Sequence, residues 1–141
     1  LDEQKRSHPV DGLAPVADGE GVLEMQRAVR EVYVDPAIAD YIVRLVSATR
    51  SHPDVYLGAS PRGSLALYRA GQAFAALSGR DYVIPDDVKA LAESALAHRL
   101  ILKTAASIRG VEGRSVVSEM LMTVPIAPPR PSAEVRGMGK A

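Results

Sequence analysis

The chain has 141 residues, a length that suits one compact domain with ragged ends and excludes two full lobes. Hydrophobic residues make up 47% and charged residues 24%, so a core can form and wholesale disorder is excluded. Lys and Arg (17) balance Asp and Glu (17), which favours neither nucleic acid nor an anionic membrane as partner, and the absence of Cys removes disulfides, thiolate zinc sites and thiol nucleophiles.

The opening run Leu1-Asp2-Glu3-Gln4-Lys5-Arg6 is charged at once, with no apolar stretch of signal-peptide length behind it. Nowhere do about 18 apolar residues follow one another, so no membrane span is expected and the cytoplasm is the default location. Leu1 in place of Met points to a chain cut from a longer one. Residues 1–19 carry Pro9, Gly12, Pro15 and Gly19 with no sustained period and read as a linker.

From Glu20 to about Glu31, Val22, Met25, Val29 and Val32 recur at steps of three and four, the signature of one helical face. Asp35-Pro36 opens a second helix, with Asp as cap and Pro at the first helical position, and Ile38, Tyr41, Ile42, Leu45, Val46 and Thr49 form its buried stripe up to Ser51-His52-Pro53. The same cap-then-proline logic at Ser60-Pro61-Arg62 opens a third helix, which runs to Ser78 and ends at Gly79 in the left-handed conformation. Leu65, Ala66, Leu67, Ala70, Ala73, Phe74 and Leu77 leave it little polar face, while Gly63, Gly71, Ala75 and Ala76 let neighbours come close, as expected of the central helix of a bundle. A fourth begins at Pro85-Asp86-Asp87, whose carboxylates complement the helix dipole, and buries Val88, Leu91, Ala92, Ala95 and Leu96. A short fifth near Ser115 to Thr123 buries Val116, Val117, Met120 and Leu121. Val32-Tyr33-Val34, Tyr56-Leu57, Tyr82-Val83-Ile84 and Leu100-Ile101-Leu102 are β-prone but too brief for more than a minor ribbon. The expected fold is an all-α bundle of four to five helices over residues 20–125, followed by a flexible Pro/Gly-rich tail, 126–141, with Pro128, Pro129, Pro131, Gly137 and Gly139.

Catalytic constellations are scarce. No G-x-x-x-x-G-K-[ST] motif occurs, and His8, His52 and His98 lie too far apart in sequence to pair as metal ligands on one helix face. Asp86 and Asp87 point apart on a helix and read as dipole complements, not as an acid/base pair. Arg62 and Arg69 share a face, as in a DNA-reading helix, but without a basic excess they make a poor phosphate footprint. The segment that stands out is Gly58-Ala59-Ser60-Pro61-Arg62-Gly63. A proline-started helix presents free N–H groups, and an arginine in its first turn can reach past the helix start toward a phosphate. On residue types alone a second reading stands beside it, in which Ser60 caps, Pro61 starts the helix and Arg62 pairs with a surface carboxylate.

Val32-Tyr33-Val34-Asp35, Tyr41-Ile42-Val43-Arg44-Leu45, Thr49-Arg50, Ser51-His52-Pro53-Asp54, Gly58-Ala59-Ser60-Pro61-Arg62, Gly79-Arg80-Asp81-Tyr82-Val83, Pro85-Asp86-Asp87-Val88 and His98-Arg99-Leu100, in this order and spacing, resemble the C-terminal lid of MoxR-type AAA+ ATPases. The resemblance covers roughly Pro15 to Pro125. It implies an all-helical lid after an N-terminal α/β core that is missing here. ATP and Mg²⁺ would sit between core and lid, with none bound tightly by this chain alone. Neighbouring subunits would form a ring, typically a hexamer. It also implies that Arg62 is the second sensor arginine, reaching the nucleotide phosphates from the Ser60-Pro61 turn, and that the intact protein hydrolyses ATP as a chaperone that remodels or matures protein complexes, often beside a von Willebrand factor A domain partner. Ile84 departs from the family's capping hydroxyl, which predicts a less firmly held fourth helix. The alternatives from other classes are a free-standing helical interaction module and, more weakly, a DNA-binding bundle.

Overall fold

A computed structural model describes residues 9–126; the calls on His8 and on nearly all of the tail fall outside them. Residues up to Glu31 and residues from Val32 onward form two separate compact units.

In the first unit a 3-10 turn, Pro9–Gly12, precedes α1, Gly19–Glu31. Asp18 accepts from the Gly21 amide at 2.8 Å, satisfying one of the free donors of the first turn. The apolar periodicity predicts a buried stripe here, but α1 buries no residue, and Val22, Leu23 and Met25 are exposed. Its own unit supplies no second helix among the described residues to cover that face.

The second unit is a helical bundle of α2 (Pro36–Ala48), α3 (Pro61–Leu77), α4 (Pro85–Leu96), α5 (Thr104–Ile108) and α6 (Gly113–Thr123). The five-residue α5 is too short to show a period and escaped the sequence reading. α3 packs on α2 and α4, and α6 closes the bundle against both. The α2 stripe is as expected: Ile38, Tyr41, Ile42, Leu45, Val46 and Thr49 are all buried, and the Asp35 side chain caps the helix by accepting from the Ala37 amide at 2.7 Å. Tyr41, Leu45, Leu67 and Leu96 are fully enclosed, and each of the three leucines stabilises the bundle by about 1.5–3 kcal/mol.

On α3 the small residues expected to admit neighbours, Gly63, Gly71 and Ala75, do face inward, together with Leu67 and Gln72, whereas Leu65, Phe74 and Leu77, counted among its apolar residues, are exposed. The approach is tightest at Gly63, where a Cβ would lie 3.1 Å from Leu96 Cδ2. The small residues form the ridge that lets α3 approach its neighbours. At its end Gly79 takes φ +73°, with the Gly79 amide donating to Ala76 O (2.9 Å) and the Arg80 amide to Ala75 O (2.9 Å), the paired bonds of a Schellman turn.

That turn delivers Arg80 to Asp87. The guanidinium donates to both carboxylate oxygens, at 2.6 and 2.9 Å, and the same carboxylate accepts from the Ile84 amide at 2.9 Å. Asp87 therefore does more than complement a dipole: it supplies one half of a capping box by holding the Ile84 amide, while the Asp87 amide, which a hydroxyl at position 84 would accept, donates to Ile84 O at 3.1 Å. Burial alone would push the Asp87 carboxyl up, but the Arg80 hydrogen bonds, the Ile84 amide and the Arg80 charge outweigh it and hold the group below its ordinary value.

The β-prone pieces pair two by two and do not form one ribbon. β1 (Val55–Leu57) runs antiparallel to β2 (Ile101–Leu102), with Val55 opposite Leu102 and Leu57 opposite Ile101 across an irregular register. Tyr33 forms a separate parallel bridge with Tyr82, its amide donating to Asp81 O at 2.8 Å and its carbonyl accepting from the Val83 amide at 2.9 Å.

Candidate functional site

The segment between α2 and α3 carries the residues singled out by sequence. Ser60 occupies the N-cap position with extended backbone (φ −76°, ψ 168°), and Pro61 follows at the first helical position. The expected serine cap is not made: the Ser60 side chain bonds none of the helix amides, and its carbonyl accepts from the Gly63 amide at 2.8 Å. Arg62 stands exposed on the first turn, and its side chain has no hydrogen bond or ion pair among the described residues. The pairing of Arg62 with a surface carboxylate is therefore not found there. An uncompensated guanidinium at the positive end of a helix dipole is an electrostatic setting that attracts an anion with several oxygens.

What holds this turn comes from α2. The Thr49 hydroxyl, fully buried, donates to Val46 O at 2.6 Å and accepts from the Ala59 amide at 3.0 Å. Arg50 Nε donates to Ala59 O at 3.1 Å. Gly58 lies against the Arg50 backbone so tightly that a Cβ there would sit 2.7 Å from the Arg50 nitrogen and 2.8 Å from its Cα. Sequence reasoning noted Thr49, Arg50 and Gly58 without giving them this role. Only the glycine carries a local signal, that of a close backbone approach.

The rest of the connection is tied to the other end of the bundle. His52, buried, accepts the Asp54 amide on Nδ1 (3.2 Å), which leaves Nε2–H to donate to Glu119 on α6 (3.2 Å). Asp54 pairs with Arg109, and its carbonyl accepts from the Lys103 amide at 2.9 Å. His98 Nδ1 lies 3.0 Å from Ser94 O, so His52 and His98 are engaged with different partners, and no cluster of three metal-binding side chains exists among the described residues. Arg69, on the face of Arg62, is engaged: it donates to Gln72 Oε1 at 3.0 Å, and Gln72, buried, donates to Val32 O at 2.8 Å. A cavity of about 290 Å³ lined by Glu93, Ser94, Ala97, His98, Glu112, Gly113 and Arg114 draws nothing from the start of α3.

With this geometry established, residues 47–120 match the AAA lid domain family. The chain is 45% identical over 126 residues to the uncharacterized protein YeaC of Bacillus subtilis strain 168, covering 89% of this chain and 39% of that protein. It is 37% identical over 112 residues to chaperone MoxR1 of Mycobacterium tuberculosis (73% of this chain, 30% of the relative). To protein MoxR of Methylorubrum extorquens it is 31% identical over 139 residues, covering 84% of this chain and 39% of the relative. A solved structure from Cytophaga hutchinsonii, provisionally named an ATPase, superposes with a TM-score of 0.75 at 32% identity, over 77% of this chain and 36% of that one. The chain belongs to the AAA lid domain family, in the form carried by MoxR-type AAA+ ATPases. It spans at most 39% of the length of these relatives. No helix among the described residues is long and apolar enough to cross a membrane.

Proposed function

We propose that this chain closes over ATP bound to an N-terminal AAA+ core of the same polypeptide and reads its phosphates through Arg62, the second sensor position. The lead 1–19 serves as the linker to that core, residues 20–125 as the lid, and 126–141 as a tail. The observation that carries this reading is the state of Arg62. Arg44, Arg50, Arg69, Arg80, Arg99 and Arg109 each donate to an acceptor within the fold, whereas Arg62, on the first turn of a seventeen-residue helix, has none among the described residues. Arg27 and Arg114 share that lack, but Arg27 lies in the interior of α1, away from any helix start, and Arg114 stands in a cavity wall with Glu93 and Glu112, an acidic setting for an anion.

The residues present fit a phosphate. Arg62 would hold the outer phosphates with its planar fork, and the positive end of the α3 dipole would add partial positive charge. ATP, with Mg²⁺ held by the core, supplies the bond whose hydrolysis drives the cycle. The lid residues bind and orient the phosphates, so nucleotide state and lid angle bias each other. At the level of the whole protein the reading is a cytoplasmic ring, typically hexameric, that remodels or matures protein complexes, with a von Willebrand factor A domain protein as partner.

Titration calorimetry tests the division of labour. The chain alone should bind ATP no tighter than about 1 mM, because the P-loop backbone and metal ligands that supply most of the affinity lie in the core. The full-length protein should lose at least about tenfold in affinity for a non-hydrolysable ATP analogue on Arg62→Ala. Micromolar ATP binding by the chain alone, or unchanged affinity in the variant, would show the site to be misassigned.

A further inference from the structure

We infer that the residues ending α2 set where Arg62 points, with the C-cap Thr49 and the following Arg50 as positioning residues that clamp the two peptide units flanking Ala59. This rests on the reading of Arg62 as the phosphate-facing arginine.

A helix start is ordinarily held by its own cap side chain, and α2 shows that arrangement at Asp35. α3 does not, since the Ser60 hydroxyl makes no cap bond. The holding groups come instead from another helix. Thr49 takes the Ala59 amide and Arg50 takes the Ala59 carbonyl, so the peptide planes on both sides of Ala59 are fixed. Ala59 is itself fully buried, and Gly58 rests on the Arg50 backbone with no space for a side chain. Beyond Ala59, Pro61 has a locked φ, so the few remaining soft torsions before Arg62 are mainly those of Ser60. The position of the Arg62 backbone is thus referred to the end of α2, whose stripe lies in the core, and not to a local cap. Arg50 is exposed and the other nitrogens of its side chain have no partner among the described residues, so the side chain's bond to Ala59 is not needed to satisfy a buried charge. Such a contact is better explained by placement than by stability.

The test uses the full-length protein and measures kcat and KM for ATP with melting temperature as a second readout. Arg50→Ala and Thr49→Val should each lower kcat/KM by about 3- to 30-fold, since a displacement on the order of 1 Å of a phosphate-directed group costs up to about 100-fold. Arg50→Ala should do so with an unchanged melting temperature, and Thr49→Ser, which keeps the hydroxyl, should restore activity to within about twofold of the parent. The decisive comparison is with Arg62→Ala. If Thr49 and Arg50 act through Arg62, then Arg50→Ala/Arg62→Ala should be no slower than Arg62→Ala alone. A double variant slower by the full factor of Arg50→Ala would overturn the inference, as would parent-like kinetics in both Arg50→Ala and Thr49→Val while Arg62→Ala is impaired. Parent-like kinetics in Arg62→Ala would instead overturn the phosphate-facing reading, and this inference with it.

Discussion

Arg62→Ala in the full-length protein is expected to lower ATP turnover by roughly ten- to a thousandfold while changing fold stability by less than about 1 kcal/mol. The two effects separate because of where the side chain stands. Arg62 is exposed on the first turn of α3 and bonds nothing among the described residues, so truncation leaves neither a cavity nor an orphaned partner in the bundle. Its loss is felt only when a phosphate is present. Arg69→Ala is the matched control, seven residues farther along the same face and therefore about 10 Å away along the helix axis. Arg69 serves Gln72, which keeps its own bond to the Val32 carbonyl without it, so little activity should be lost. Steady-state hydrolysis by the two variants measures the difference directly. Equal, parent-like rates in both would reduce the Ser60-Pro61-Arg62 turn to a well-formed helix start.

The second large effect concerns the fold and its acid limit. Asp87→Asn should destabilise the bundle by about 2 kcal/mol and lower the melting temperature by roughly 10 °C, because a carboxylate buried to 2% exposure loses its charge against Arg80. Its folded-state carboxyl lies below the ordinary value, so the stabilisation is fully present above the unfolded-state value of about 3.9 and is lost as the pH falls toward the folded-state value. Denaturation curves of parent and variant should therefore differ most at neutral pH and converge below about pH 4. A constant gap down to acid pH would mean that the Arg80 pair contributes nothing and that the variant fails by packing. Asp86→Asn is the control one residue away. Asp86 is exposed and pairs only with Lys89 along the helix surface, so its loss should leave the melting curve nearly unchanged.

Asp87 also marks a boundary of sequence reading. Two adjacent carboxylates after a proline are enough to place a helix start, and α4 does begin at Pro85. That one of the two would be buried as a carboxylate depends on Arg80, which the Schellman turn after α3 brings to it. The α3 face shows both sides of this limit. Its small residues Gly63, Gly71 and Ala75 could be marked for close approach from the chain alone, but that Leu65, Phe74 and Leu77 would stay exposed depends on where the neighbouring helices lie.

The elements whose signals are local were legible in the chain by itself. Proline at the first helical position and glycine after the last act through their own backbone torsions, and the α2 stripe follows from a fixed angular repeat, so α2, α3 and α4 and the all-helical class could be read directly. The Ser60-Pro61-Arg62 turn was located in the same way. Whether Ser60 capped, whether Arg62 was already paired, and what held the turn were decided only by the tertiary structure. Each depends on residues distant in sequence that folding brings together, such as Thr49 and Arg50 against Ala59, ten and nine positions apart. A hydrogen bond acts over about 3 Å, and no periodicity along the chain records which groups will come within that distance.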